Sequence, residues 1–334
     1  LLKKALLSFI VSWGLLSLGA PAVFAQGVGT TTADILKINL GDRPAGMAGV
    51  YTALGDDAYS MDYNPAGLAL LRSSQLILLH LDSLAQIQYE YLTFATPFGI
   101  DNTVGVNFIY RHTPTIDNNN GNAPVNADDL LAEGTFAHVF SPSLRVGATF
   151  KFLKSDLYNE TATAFCGDIG VQLDKLPYGI RAGLSVQNVG TGMTFAVPGQ
   201  SPPSGTPSEP LPMFIRFGIG THQVIDDDKD LNLGVEVFKP SDQNIKLAFG
   251  GEFWLFPHLF AFRGGYKIEN FGSIPADASS NVFQYYTLGC TLTRQLEGND
   301  FSLDLAYNPG NFGETVEDTF SFALNFKFNE LRIF

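Results

Sequence analysis

The chain is short of charge. Only 16% of its 334 residues are Asp, Glu, Lys or Arg, where soluble domains carry about 25%. No apolar excess makes up the difference, since mean hydropathy is only +0.09. Beyond the N-terminus there is no long apolar run. That excludes a helical membrane protein, which needs spans of about 20 apolar residues. Basic residues are outnumbered, 20 Lys and Arg against 33 Asp and Glu, for a net charge of −13. This balance argues against nucleic acid as a partner. The two cysteines, Cys166 and Cys290, are too few and too distant for a disulfide framework. Small buried or lipid-facing residues are expected there, with a single long-range bridge as the alternative.

Catalytic signatures are missing as well. The five histidines, His80, His112, His138, His222 and His258, form no close metal-ligand pair. There is no Gly-x-Ser-x-Gly elbow and no Walker loop. The run Asp117–Asn122 is like a calcium loop only faintly, with its Gly one position early and no Glu at the twelfth. A solvated loop is the better reading. A non-enzyme without metal or cofactor is expected.

Aromatics and glycine are abundant, with 28 Phe, 12 Tyr and 34 Gly. A chain so rich in aromatics and so poor in charge is not disordered. Residues 1–25 read as a secretory signal. Lys3 and Lys4 form the positive region, Ala5 to Ala20 the apolar core, and Val23-Phe24-Ala25 a small-x-small cleavage site.

From Gln75 onward the dominant period is two. Val104, Val106, Phe108 and Tyr110 alternate with Gly105, Asn107, Ile109 and Arg111. Leu144, Val146, Ala148 and Phe150 alternate with Arg145, Gly147, Thr149 and Lys151. Successive strand side chains point to opposite faces, so each segment has an apolar face and a polar or small one. Fourteen segments follow this rule: 75–82, 85–96, 102–112, 130–140, 143–154, 162–175, 178–189, 213–225, 231–239, 243–254, 258–268, 282–295, 300–308 and 317–328. Most are near the ~9–11 residues that a tilted strand needs to cross a bilayer. Short connections alternate with longer ones, as expected of periplasmic turns and external loops. The fold class expected is all-β, a 14-stranded antiparallel transmembrane barrel over residues 75–334 in an outer membrane. A secreted sandwich, the other all-β reading, gives no reason for that alternation of loop lengths. The last segment, Phe320 to Phe328, resembles the terminal aromatic pattern that barrels present to their assembly machinery.

In such a barrel the apolar faces meet outer-membrane lipid and the opposite faces meet the lumen. The alternation directs Glu90, Asp168, Asp174, Glu236, Glu252 and Asp304 inward. It does the same for Arg111, Arg145, Lys151, Arg181, Arg216, Lys246, Arg263, Lys267 and Lys327. This expected interior is slightly basic in an acidic chain. Mixed charges across a narrow lumen are expected to pair into a lattice, with a polar path as the alternative. Tyr89, Tyr91, Tyr266, Tyr286, Tyr307 and Trp254 are expected near strand ends or on outer faces as interface anchors.

Residues 26–74 do not alternate. They hold Arg43-x-x-Gly46-Met47-x-Gly49, then Asp56-Asp57, then Asn64-Pro65-Ala66-Gly67-Leu68. Short helices and turns are expected, either hanging in the periplasm or folded into the lumen as a plug. Pro65 fixes its own φ and turns Asn64 away from helix. The ordered set from Leu40 to Leu68 resembles the N-terminal signature of the PorV/PorQ outer-membrane proteins, which are similar to the FadL long-chain fatty acid transporters. The resemblance implies a plugged fourteen-stranded barrel with an N-terminal hatch. On the FadL side it implies passage of a hydrophobic small-molecule ligand. On the PorV side it implies type IX secretion, with secreted cargo proteins as partners. The residues do not choose between the two.

Overall fold

The computed structural model describes residues 30–83, 86–114, 126–202, 206–227, 229–256, 259–268, 286–308 and 319–328. The signal, the run 117–122 and the connections 269–285 and 309–318 lie outside them. No described helix is long and apolar enough to cross a membrane.

Alternating Val, Phe, Thr and Tyr favour extended backbone that can bury one face. They form β1 (Ser74–Asp82), β2 (Gln88–Phe98), β3 (Asn102–His112), β4 (Ala127–Ser141), β5 (Leu144–Leu157), β6 (Glu160–Leu173) and β7 (Ile180–Gly190). The second half adds β8 (Phe214–Asp226), β9 (Lys229–Pro240), β10 (Lys246–Leu255), β11 (Phe260–Ile268), β12 (Tyr286–Leu296), β13 (Asn299–Asn308) and β14 (Thr319–Phe328). The strands pair antiparallel in chain order. β1 and β14 then close the barrel from Ser74↔Phe328 to Asp82↔Phe320. Closure leaves no sheet edge, which is what lets strands sit in lipid.

The outer face is apolar, with Leu78, Val106, Phe108, Phe150, Phe165, Phe217 and Leu324 exposed. The strand ends joined by 99–101, 142–143, 174–179 and 297–298 gather at one end of the barrel; those joined by the long 113–126 and 191–213 lie at the other, together with the short 158–159 and 241–245. In outer-membrane barrels the short turns face the periplasm. Cys166 points inward and is buried. Cys290 sits opposite the outward Phe262, so the two thiols are on opposite faces and both are free.

Two strands correct the expected facing. In β2, Tyr89, Tyr91, Thr93 and Ala95 are buried inward, so Glu90 points outward. There it meets His80 at 2.7 Å, near the long-loop end. β2 is apolar on both faces, so periodicity alone does not choose between them. The choice falls to Tyr91, whose hydroxyl donates to Asp62 inside at 2.7 Å. Trp254 likewise faces inward, beside Ala261 and 6.0 Å from the Arg263 guanidinium.

Residues 30–73 lie within the barrel. They form short helical turns at Asp34–Lys37, Asp42–Gly46, Ser60–Tyr63 and Pro65–Leu70. Glycines on the inner wall make room for them. A Cβ at Gly147 would run into Pro65 and Ala66, one at Gly170 into Asn64 and Pro65, one at Gly183 into the Thr52 carbonyl, and one at Gly265 into Met47 and Ala48. Backbone therefore packs on backbone around the lumen. Gly170→Leu is expected to leave the barrel closed but unseat residues 40–70. Heat-modifiable gel migration should stay unchanged while limited proteolysis cuts the segment. Protection equal to wild type would show that the wall yields instead.

Candidate functional site

The N-terminal motif residues come together as anchors between the segment and the wall. Arg43 lies at the centre. Its Nε and Nη2 donate to both carboxylate oxygens of Glu252 on β10, each at 2.8 Å. Its Nη1 donates to Asp56 at 2.5 Å and to Asp57 at 2.8 Å. Glu252 also accepts from Arg263 at 2.7 Å, and Arg263 reaches Asp304 at 3.5 Å. The spacing from Arg43 to Asp56-Asp57 thus closes a loop of segment around one guanidinium. A planar fork that grips Glu252 with two bonds and still offers Nη1 to Asp56 and Asp57 is the reason for Arg rather than Lys.

The small residues allow the close approach. Gly46 packs against Gly289 and Arg263 of the wall, Gly49 takes φ +81°, and a Cβ on Gly67 would meet the Gly55 carbonyl at 2.6 Å. Met47 and Ala66 are fully buried. Asn64 joins segment to wall, with its amide donating to the Thr52 carbonyl at 2.7 Å and the Val171 carbonyl at 3.0 Å. Its oxygen accepts from Ala66 N, so it caps the turn that Pro65 starts.

Lumen side chains mostly serve the segment's backbone. Glu236 accepts from the N–H groups of Tyr51 and Thr52, both at 2.9 Å, and from Arg216 at 2.9 Å. Gln172 donates to the carbonyls of Ala53 and Gly55, and Gln187 to those of Asp62 and Tyr63. Thr287 takes the Ala48 N–H and returns a bond to the Gly46 carbonyl. Arg145 and Arg181 pair with Asp174 at the short-turn end, and Arg111 with Asp129 near the long loops. Lys151 pairs with Glu133 at 3.2 Å and Asp168 at 2.9 Å.

The lattice is therefore present but not basic. Asp129 and Glu133 join the wall acids, and Asp42, Asp56, Asp57 and Asp62 come from the segment. The expected basic excess disappears. Asp129 and Glu133 were missed because β4 shows Leu130 and Leu131 side by side, which blurs its period. Asp62 was missed because it lies outside the strands.

Between segment and wall, toward the long loops, lies a cavity of about 30 Å³. Ile35, Leu36, Leu40, Ile109, Leu131 and Phe214 form its apolar side. Asp62, Glu133, Lys151, Gln187, Asn188 and Arg216 form its polar side. A bulge in β7 builds that polar side. Gly167 and Ile169 of β6 oppose Val189 and Val186, with Asn188 at φ +60°. The extra residue lets consecutive Gln187 and Asn188 both turn inward. The roof is the turn Asp34–Lys37, held by Lys37 Nζ and Thr31 Oγ1 on Asp242, at 2.8 and 2.5 Å. A larger depression of about 820 Å³ lies on the outer face over Gly251 and Gly264, walled by Leu233, Phe249 and Phe262, and opens to lipid.

This architecture has known counterparts. The fold is that of FadL-type hydrocarbon channels. The Ralstonia pickettii toluene transporter TbuX aligns over 86% of this chain and 97% of its own, with a TM-score of 0.54 at 12% identity. The monoaromatic hydrocarbon channel CymD aligns over 86% and 96%, with a TM-score of 0.57 at 13% identity. A Pseudomonas aeruginosa FadL homologue aligns over 86% and 98%, with a TM-score of 0.55 at 11% identity. In sequence, residues 19–152 match an uncharacterised protein family, UPF0164. No curated protein matches the chain.

Two predictions follow from the ionic contacts. Arg43→Ala removes one of two cations from buried Glu252 and is expected to cost about 3 kcal/mol, the low end for a broken buried pair because Arg263 remains. The midpoint of denaturant unfolding in detergent measures it. Asp62 is raised well above the usual carboxylate range by burial, and further by Glu133 beside it, against the pull of Lys151. Because its folded value lies above its unfolded one, ionisation opposes seating. Stability should fall as pH rises through the raised value. Asp62→Asn is expected to flatten that limb in thermal melts across pH 5 to 10.

Proposed function

We propose that the chain is an outer-membrane, FadL-like channel that passes hydrophobic or amphipathic small molecules, with residues 26–74 as its plug. The observation that carries this reading is the partly apolar cavity between a seated N-terminal segment and the wall of a closed fourteen-stranded barrel. A water-filled porin has no use for an interior segment hydrogen-bonded to the wall at nine strands. The match in fold to a toluene transporter and to monoaromatic hydrocarbon channels supports the same reading. Among the described residues no group of acids, histidines or cysteines is arranged to hold a metal.

On this reading the polar anchors hold the plug, and the roof over the cavity is its movable part. The roof's tether is ionic. Burial opposes charge at both ends, but the hydrogen bonds between them win, so Lys37 is raised and Asp242 lowered. The pair therefore stays charged through neutral pH and is lost only as pH falls through the lowered Asp242 value or rises through the raised Lys37 value. The PorV-like role in type IX secretion rests on the Leu40–Leu68 signature alone.

Uptake of radiolabelled toluene by cells expressing the protein in their outer membrane tests the proposal. Uptake several-fold above vector is expected, with no matching gain for arabinose. A folded barrel that leaves toluene uptake unchanged would overturn it. Asp242→Ala, which frees the roof, is expected to raise the uptake rate a few-fold.

A further inference from the structure

The charges around the cavity are unevenly divided. Glu133 and Asp168 converge from β4 and β6 on the single ammonium of Lys151, with the Asp62 carboxyl of the plug beside Glu133. Asn107 donates to Asp62 and Glu133 at once, both at 3.1 Å, which holds the two carboxyl groups side by side. Lys151 is fully engaged. Besides its ion pairs with Glu133 and Asp168 it donates to Asn188 at 3.1 Å.

The neighbouring cations are committed too. Arg216 donates to Glu236 and Gln187, at 2.9 and 2.8 Å, and stacks over Phe238 and Tyr63. Arg111 is held by Asp129, and Lys37 by Asp242 and Asp34. Every described cation within reach of the cavity thus already faces a carboxylate.

From this balance we propose that the cavity selects against carboxylates and admits apolar molecules whose polar end is uncharged or donates hydrogen bonds, such as alcohols. The inference rests on the channel reading and names the substrate class of the same site. A carboxylate head placed here would meet acidic oxygens with no cation to take it. Like charges brought this close repel strongly where little water screens them. A hydroxyl can instead donate to Glu133 while its chain lies against Ile109, Leu131 and Phe214. The cavity is far too small for a chain as it stands, so the chain enters only as Asp34–Leu40 lifts.

The test compares two ligands that differ only in the head. The full-length mature protein in phosphatidylcholine nanodiscs is titrated at pH 8 with radiolabelled dodecanol or dodecanoate. Partition into empty discs is subtracted. Dodecanol should bind at least tenfold more tightly. Glu133→Gln, checked for folding by heat-modifiable migration, should strengthen dodecanoate binding several-fold and narrow the gap. Asp168→Asn, from the other side of Lys151, should do the same. Dodecanoate binding equal to or tighter than dodecanol would overturn the selectivity and leave the channel reading in place. A wild-type preference unmoved by both variants would overturn its assignment to this cluster. Failure of both ligands to bind would overturn the channel reading itself.

Discussion

An irregular stretch of backbone inside a barrel must find partners for its N–H and C=O groups without a sheet of its own. Much of this structure answers that demand. The segment from Thr30 to Arg72 has only short helical turns, which leave many backbone groups unbonded at their ends. The wall supplies partners through Glu236, Gln172, Ser185, Gln187 and Thr287. These are the residues that look, from the strand pattern, like the lining of a polar path. Their polarity serves the segment's backbone.

The same demand accounts for the glycines. Backbone can hydrogen-bond to the wall only if it comes close, and a Cβ on the inner face would hold it away. Gly147, Gly170, Gly183, Gly218, Gly234, Gly250 and Gly265 line the inner surface from β5 to β11 where the segment runs. Glycine weakens a strand. A closed barrel tolerates this because both neighbours still hold each strand by main-chain bonds.

Charge is the second layer. Arg43 and Glu252 tie the segment to β10 where a buried ion pair is costly to break. Around the cavity the charges are fewer in cations than in anions, and the roof is held by one exchangeable pair, Lys37 and Asp242. Firm anchoring near the middle of the barrel contrasts with the lighter tether at the end where Asp242 lies.

The barrel itself was legible in the sequence, since period-two alternation and an even strand count follow from local chemistry, whereas the alternation of loop lengths fails at 158–159 and 241–245. So were Arg43, Asp56-Asp57 and Asn64-Pro65, whose spacing is unusual enough to stand out. Neither told which face of β2 turns inward, because Tyr89, Tyr91 and Leu92 are apolar in both directions and only the contact of Tyr91 with Asp62 decides. Nor could the sequence place Asp62, Glu133 and Asp168 around one lysine. They lie on separate elements far apart in the chain, and closure of the barrel around the folded segment is what brings them together. The sequence determined two-faced strands by local sterics and solvation. Only the tertiary structure decided the sign of the interior, because that depends on which charges share a volume rather than which share a stretch of chain.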